Sequence, residues 1–265
     1  EREGLYIHEA EVTTERAARL LGKPCGRYLT LSLEALSRRE EEAFPRSVRV
    51  LAALIETLLP PMDSAAPVLI AGLGSRSITP DAVGPHSADH VFATRHLISR
   101  SPEFFASWRP VSVLAPGVLG QTGVETGEIV RGVLDHVRPR AVIAIDALAA
   151  GRLSRLVRTV QLADTGIVPG SGVNNARAAL DRQTLGVPVV SIGVPTVADG
   201  GSLAHEIAQQ LDGAQCEALD DLSQPFIITT RDIDREVADT ARLIGYAVNM
   251  ALQHISVEEI DLYLS

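Results

Sequence analysis

The chain reads as an α/β protein, a three-layer sandwich with a mostly parallel central sheet and a β-rich N-terminal embellishment. Three observations predict it. Beyond residue 65, short apolar runs alternate with helical patterns, the signature of strands joined by crossover helices. Those runs (PVLIAGLG 67–74, VSVLAPG 111–117, AVIAIDAL 141–148, TVQLADTG 159–166 and VPVVSIGVPT 187–196) are apolar on both faces, as strands covered from two sides must be. Before residue 65, Leu5–Val12 and Tyr28–Leu33 are β-rich stretches without that regular alternation.

In chain order, TTERAARLLGK reads as a capped helix of a turn or two, closed by Gly22 and Pro24. The charge run Arg38–Glu42 is a solvent-facing helix entry, and the helically spaced apolar residues of Val48–Leu59 stop at Pro60-Pro61. Asp81–Arg100, Thr126–Val137 and Asn174–Leu180 read as the right-handed crossover helices of a parallel sheet. FIITT (226–230) is a further strand, and Asp232–Gln253 carries a broad apolar stripe through Val237, Ala241, Leu243, Ile244, Val248 and Leu252. With no internal repeat or low-complexity linker, one domain over 1–265 is the economical organisation, 1–64 being the embellishment and 65–265 the main sheet and helices.

Composition bounds the chemistry. The 265 residues are 46% apolar, enough to bury a sizeable core. The 33 acidic against 24 basic residues give a net charge of −9, and a diffuse acidic balance disfavours a nucleic-acid backbone as direct partner. No apolar run approaches the roughly 20 residues of a membrane span, so no membrane partner is expected. Cys25 and Cys216 lack a CxxC partner, which argues against a disulfide scaffold or a Cys-based zinc site and for a reducing, cytoplasmic setting. The opening EREGLYIHEA has neither an initiator Met nor a signal-peptide segment, and reads as a processed start or the interior of a longer chain.

In open α/β sheets ligands bind outside the carboxyl ends of the strands. Asp81 in TPDAVGP, Asp146 in AVIAID and Asp164 in TVQLAD all follow apolar runs, which points to an acidic cleft. A helix cap is the rival reading of Asp81. Asp146 closes a five-residue apolar strand, where burying a charge costs several kcal/mol unless it is paired or used. Two carboxylates brought close share a proton. One then serves as general base on a water while the other donates to the substrate; alternatively, the pair holds a divalent cation.

Other motifs carry less. GLGSRS (72–77) has Ser77 where a dinucleotide fingerprint needs its third glycine. In PGSG, Pro169 stands where a nucleophile elbow needs glycine, though the glycines around Ser171 can offer N–H groups to an anion or a peptide carbonyl. A single DTG (164–166) on an α/β scaffold is a coincidental match to the paired triplets of pepsin-type enzymes. His86 and His90 share a helix face without the Glu of HExxH and read as a solvated face. His96 is expected to end that helix, complementing its dipole, and Trp108 to pack.

Taken together, GLGSRSITPDAVGP, RPVSVLAPGVLGQTGVETGEIVRGV, AVIAIDALAAGRLSRL, TVQLADTGIVPGSGVNNARAAL and TLGVPVVSIGVPTV resemble the germination protease family of endospore-forming bacteria. The N-terminal LGKPCGRYLTLSLEAL and the C-terminal FIITTRDIDREVADTARLIGYAVNMALQHISVEEI extend the resemblance over nearly the whole chain. It implies an endopeptidase of small acid-soluble spore proteins, made as a zymogen, homotetrameric and located in the spore core. Asp81 and Asp146 would be the catalytic pair, and Thr79, Glu125, Asp164, Gly166 and Ser171 would orient the pair or bind substrate. No resident cofactor or metal is implied, although kinship with hydrogenase-maturation peptidases keeps a metal-dependent alternative, beside a catalytically inactive peptide-binding relative. Two departures stand out: Ser75-Arg76-Ser77 where the family reads NWN, and Val168 where it has His after DTGI.

Overall fold

The computed structural model describes residues 1–170, 177–201 and 227–264. Among the described residues the strands are β1 (Ile7–Val12), β2 (Gly26–Ser32), β3 (Val68–Gly72), β4 (Val111–Leu114), β5 (Ala141–Ala149), β6 (Thr159–Ala163), β7 (Val189–Asp199) and β8 (Ile227–Ile228). The helices used below are α1 (Glu15–Leu21), α2 (Ala43–Leu58), α3 (Val83–Asp89), α4 (Thr126–Val137), α5 (Ile233–Gln253) and α6 (Val257–Leu264). The strands form one sheet in the order β1-β2-β6-β7-β5-β3-β4, with β8 pairing β7.

Half of the sheet is parallel. Strand β5 pairs in parallel with β3 and β7, and β3 with β4. Strands β1, β2 and β6 form an antiparallel half joined to β7 through β6. Two expectations change accordingly. Within the segment at 159–166, Thr159–Ala163 is a strand, but it runs against β7 rather than with it. Residues 177–180 are not helical (Leu180 bridges Ile167, and 174–176 lie outside the described residues), because antiparallel neighbours need no crossover helix. The N-terminal strands β1 and β2 extend the main sheet through β6.

Side-chain alternation divides the sheet cleanly. Ile143 and Ile145 of β5, Val68 and Ile70 of β3, and Leu29 and Leu31 of β2 enter one core with Leu51 and Ile55 of α2 and Leu243, Ile244 and Val248 of α5. On the other face Leu69, Ala71, Val142 and Ala144 pack against Val130 and Leu134 of α4. That makes three layers, the first helical layer heavier than the second.

Local chemistry sets the helix ends. Thr14 caps α1 by accepting from the Ala17 N–H, and Gly22 closes it in the left-handed region. The predicted helix Asp81–Arg100 is broken into a 3-10 turn Thr79–Asp81, α3, and a second helix Arg95–Arg100. Asn249 of α5 causes the break: its side chain accepts from the Phe92 N–H at 2.9 Å and donates to the His90 carbonyl at 2.7 Å. His96 therefore falls in the first turn of a new helix, not at the end of the old one. Trp108 packs edgewise against Phe92, Phe105 and Tyr263, as expected.

The approach of α3 to the sheet depends on missing side chains. A Cβ on Gly84 would lie 2.2 Å from the Leu73 carbonyl oxygen and 2.5 Å from that of Ile145; one on Gly72 would lie 2.3 Å from the Gly84 carbonyl oxygen. Helix start and strand ends touch backbone to backbone, which brings the segment carrying Asp81 onto the carboxyl ends of β3 and β5. Gly84→Ala is expected to destabilise the fold by about 1–3 kcal/mol through overpacking, read as a lower denaturation midpoint with an unchanged m-value.

Candidate active site

Asp146 is not the last residue of its strand. Strand β3 ends at Gly72, opposite Ile145, whereas β5 continues to Ala149 beside β7, with Asp146 opposite Gly193. The carboxylate thus stands one residue past the point where β3 stops. By alternation it shares a face with Val142, Ala144 and Leu148. It is 5% exposed. Burial pushes its pKa up to about 7, the nearby charge of Asp81 adds to the rise, and the Ala147 N–H, 2.9 Å from Oδ1, opposes it.

Asp81 reaches the same strand ends on the segment ahead of α3. It lies in the 3-10 turn ahead of α3, and no side chain caps that helix. Its Oδ2 instead accepts the Ser75 N–H at 2.7 Å, displacing the cap reading. Burial raises the pKa of Asp81 as well, and the Ser75 bond holds it down. Gly74 makes this bond possible: its φ is +105°, and a Cβ there would lie 2.1 Å from the Asp81 carbonyl oxygen and 3.0 Å from Oδ1. The turn wraps so closely that only glycine fits.

A further group reaches the same loop. Gln121 Nε2 donates to the hydroxyls of Ser75 at 2.8 Å and Ser77 at 3.1 Å, and these hydroxyls lie 2.9 Å apart. In the sequence Ser75 and Ser77 stand out as departures from a family pattern, and Ser77 also as the residue that breaks a dinucleotide fingerprint. Gln121 carried no signal there, because its role depends on a turn over forty positions away folding back onto Ser75.

Of the other predicted residues, Thr79 shares the 3-10 turn of Asp81, whereas the Asp164 and Glu125 carboxylates bond to partners elsewhere. Because β6 is antiparallel, its carboxyl end lies towards the amino end of β7, and Asp164 accepts the Arg27 N–H at 2.8 Å, tying β6 to β2. The third member of the expected acidic cleft is therefore a strand tie. Glu125 pairs with Arg177 at 3.4 Å. Thr79 lines a cavity of about 280 Å³ with His86 and His90. Gly166, at φ +79°, lies tight against the Leu180 carbonyl and borders a groove of about 260 Å³ floored by Tyr28, Gln161, Ser191, Gly193 and Leu148. Ser171 and Cys216 lie outside the described residues.

His86 lies 3.7 Å from Asp89, which also binds Arg76, while His90 packs edge-on to Tyr246. Among the described residues no group of three or more His, Cys, Asp or Glu side chains is arranged to hold a metal ion. No helix of the described residues is long and apolar enough to cross a membrane.

Fold and site together define a mixed α/β protein with a two-carboxylate centre at the end of its parallel strands. A sequence profile of the germination protease family matches residues 1–214. The germination protease of Caldanaerobacter subterraneus subsp. tengcongensis is 38% identical, the alignment covering 95% of this chain and 86% of that one. That of Clostridium perfringens is 33% identical over 99% and 89%. That of Bacillus subtilis is 45% identical over 77% of this chain and 56% of its own length. A [NiFe] hydrogenase maturation protease, HycI from Thermococcus kodakarensis KOD1, aligns over 74% of this chain and 98% of that one at 16% identity and a TM-score of 0.41.

The chain belongs to the germination protease family. It is accordingly a peptidase, a hydrolase whose substrate is protein.

Proposed function

We propose that the chain is an endopeptidase that hydrolyses small acid-soluble spore proteins during germination, with water activated between Asp81 and Asp146. One observation carries this reading: Asp146 is a nearly inaccessible carboxyl group one residue past the end of β3, where the segment bearing Asp81 meets the same strand ends, and burial beside that second carboxylate pushes its pKa up. The two environments separate the roles. Asp81 keeps a backbone N–H bond that favours its ionised form and acts as general base on the water. Asp146 retains the proton and acts as general acid.

The Asp81 carboxylate takes a proton from water, and the oxygen adds to the scissile carbonyl carbon. Asp146 delivers its proton to the leaving amine as the C–N bond breaks, and Asp81 then passes the water-derived proton to Asp146, restoring both groups. The groove beginning at Leu148 and Gly193 adjoins Asp146 along β5 and β7 and supplies the floor on which an extended substrate lies. A homotetramer in the spore core is the assembly and location that accord with this reading.

The test is incubation of the purified chain with a purified small acid-soluble spore protein, with and without chelator. Discrete fragments in both conditions are expected. Cleavage lost with chelator and restored by a defined metal would replace the acid pair with a metal-dependent mechanism. Binding without cleavage would make the chain an inactive peptide-binding relative.

A further inference from the structure

We propose that Gln121 is a positioning residue for the acid pair, acting through the Ser75 and Ser77 hydroxyls on the backbone N–H that holds Asp81. The inference rests on the reading of Asp81 as general base and adds a residue to it. The chain of contacts is continuous: Gln121 Nε2 donates to both hydroxyls, the hydroxyls bond to each other, and the Ser75 N–H donates to Asp81 Oδ2. Ser75 is 1% exposed, so its bond to the carboxylate sits in a low-dielectric setting where a small displacement has a large effect.

Arg76 anchors the loop to Asp89 of α3 and the Ser77 N–H donates to the Ser75 hydroxyl, and Gln121 adds a side-chain contact that reaches the Ser75 and Ser77 hydroxyls from outside the loop. Gly74 takes a left-handed conformation, and Arg76, Ser77 and Ile78 are exposed. Gln121, in the turn Leu119–Thr122, grips two alternate residues of this loop at once. Its own side chain is otherwise exposed, so its removal leaves no cavity in either core.

The experiment compares Gln121→Met, which keeps length but has no donor, with Gln121→Ala and the double variant Gln121→Met/Ser75→Ala. Cleavage of a purified small acid-soluble spore protein is the activity readout. Each Gln121 single variant is expected to lower kcat about tenfold or more, as for a misplaced catalytic group, with KM within about twofold. The acidic limb of the kcat profile should move upward, because Asp81 holds its proton longer once the Ser75 N–H is loosened. Side-chain carboxyl NMR should show the Asp81 midpoint rising in step, a readout that does not depend on turnover. The double variant should lose little more than the single, since both act through one contact.

A wild-type kcat profile and an unmoved Asp81 midpoint in Gln121→Met overturn the proposal. Asp81→Asn, run in parallel, separates the failures. If it is inactive while Gln121→Met behaves as wild type, only the positioning role falls; if it cleaves normally, the acid pair and the positioning role fall together.

Discussion

Asp146→Asn is expected to reduce peptide hydrolysis about 10²–10⁴-fold while leaving the fold intact, the range lost when a positioned general acid or base is removed. Asparagine keeps the shape of the side chain and an oxygen able to accept the Ala147 N–H, but it has no proton to deliver to a leaving amine. Asp81→Asn should fall in the same range, since an amide can accept the Ser75 N–H but cannot take a proton from water. Single-turnover cleavage, with circular dichroism as the fold control, measures both. Retention of more than a tenth of wild-type turnover in either variant would remove that carboxylate from the chemistry.

The second large effect is on stability, and it runs opposite to the usual case for carboxylates. Asp146 titrates near 7 in the folded chain against 3.8 for the free side chain, so between those values the folded state binds the extra proton. Stability from this group is fully present below about pH 4 and is lost as pH rises through about 7, a difference of about 4 kcal/mol at 1.36 kcal/mol per unit. The raised pKa of Asp81 adds in the same direction. In urea titrations, Asp146→Asn should be more stable than the wild-type chain at pH 8 and should lose that advantage by pH 4.5. A wild-type and variant difference that stays constant across this range would mean that Asp146 is not held protonated by the fold.

Much of this architecture could be read without coordinates, for identifiable reasons. Runs such as AVIAI are apolar on both faces because β5 is covered on both, and that demand is local. Direction is not local. Nothing in TVQLA distinguishes a parallel from an antiparallel strand, so β6 was misoriented and Asp164 with it. The break after α3 was equally hidden, because the side chain that satisfies its free backbone groups, Asn249, lies more than 150 positions away. Asp146 was legible because a carboxylate at the end of an apolar strand is costly to explain otherwise. Asp81 was legible only as one of two readings, and a backbone N–H from Ser75 decided between them.

The antiparallel pairing of β2 with β6 has a consequence for how the chain acquires its shape. Tyr28 meets Ala163 and Ser32 meets Thr159, so the first hairpin cannot dock until a stretch roughly half the chain further on has been synthesised. During translation that hairpin waits with one edge of β2 unpaired, a long-separation contact of the kind that slows folding. Once docked, it covers the hydrogen-bonding edge of β6. Shortening the chain past β2 would uncover that edge and invite strand-to-strand association between molecules.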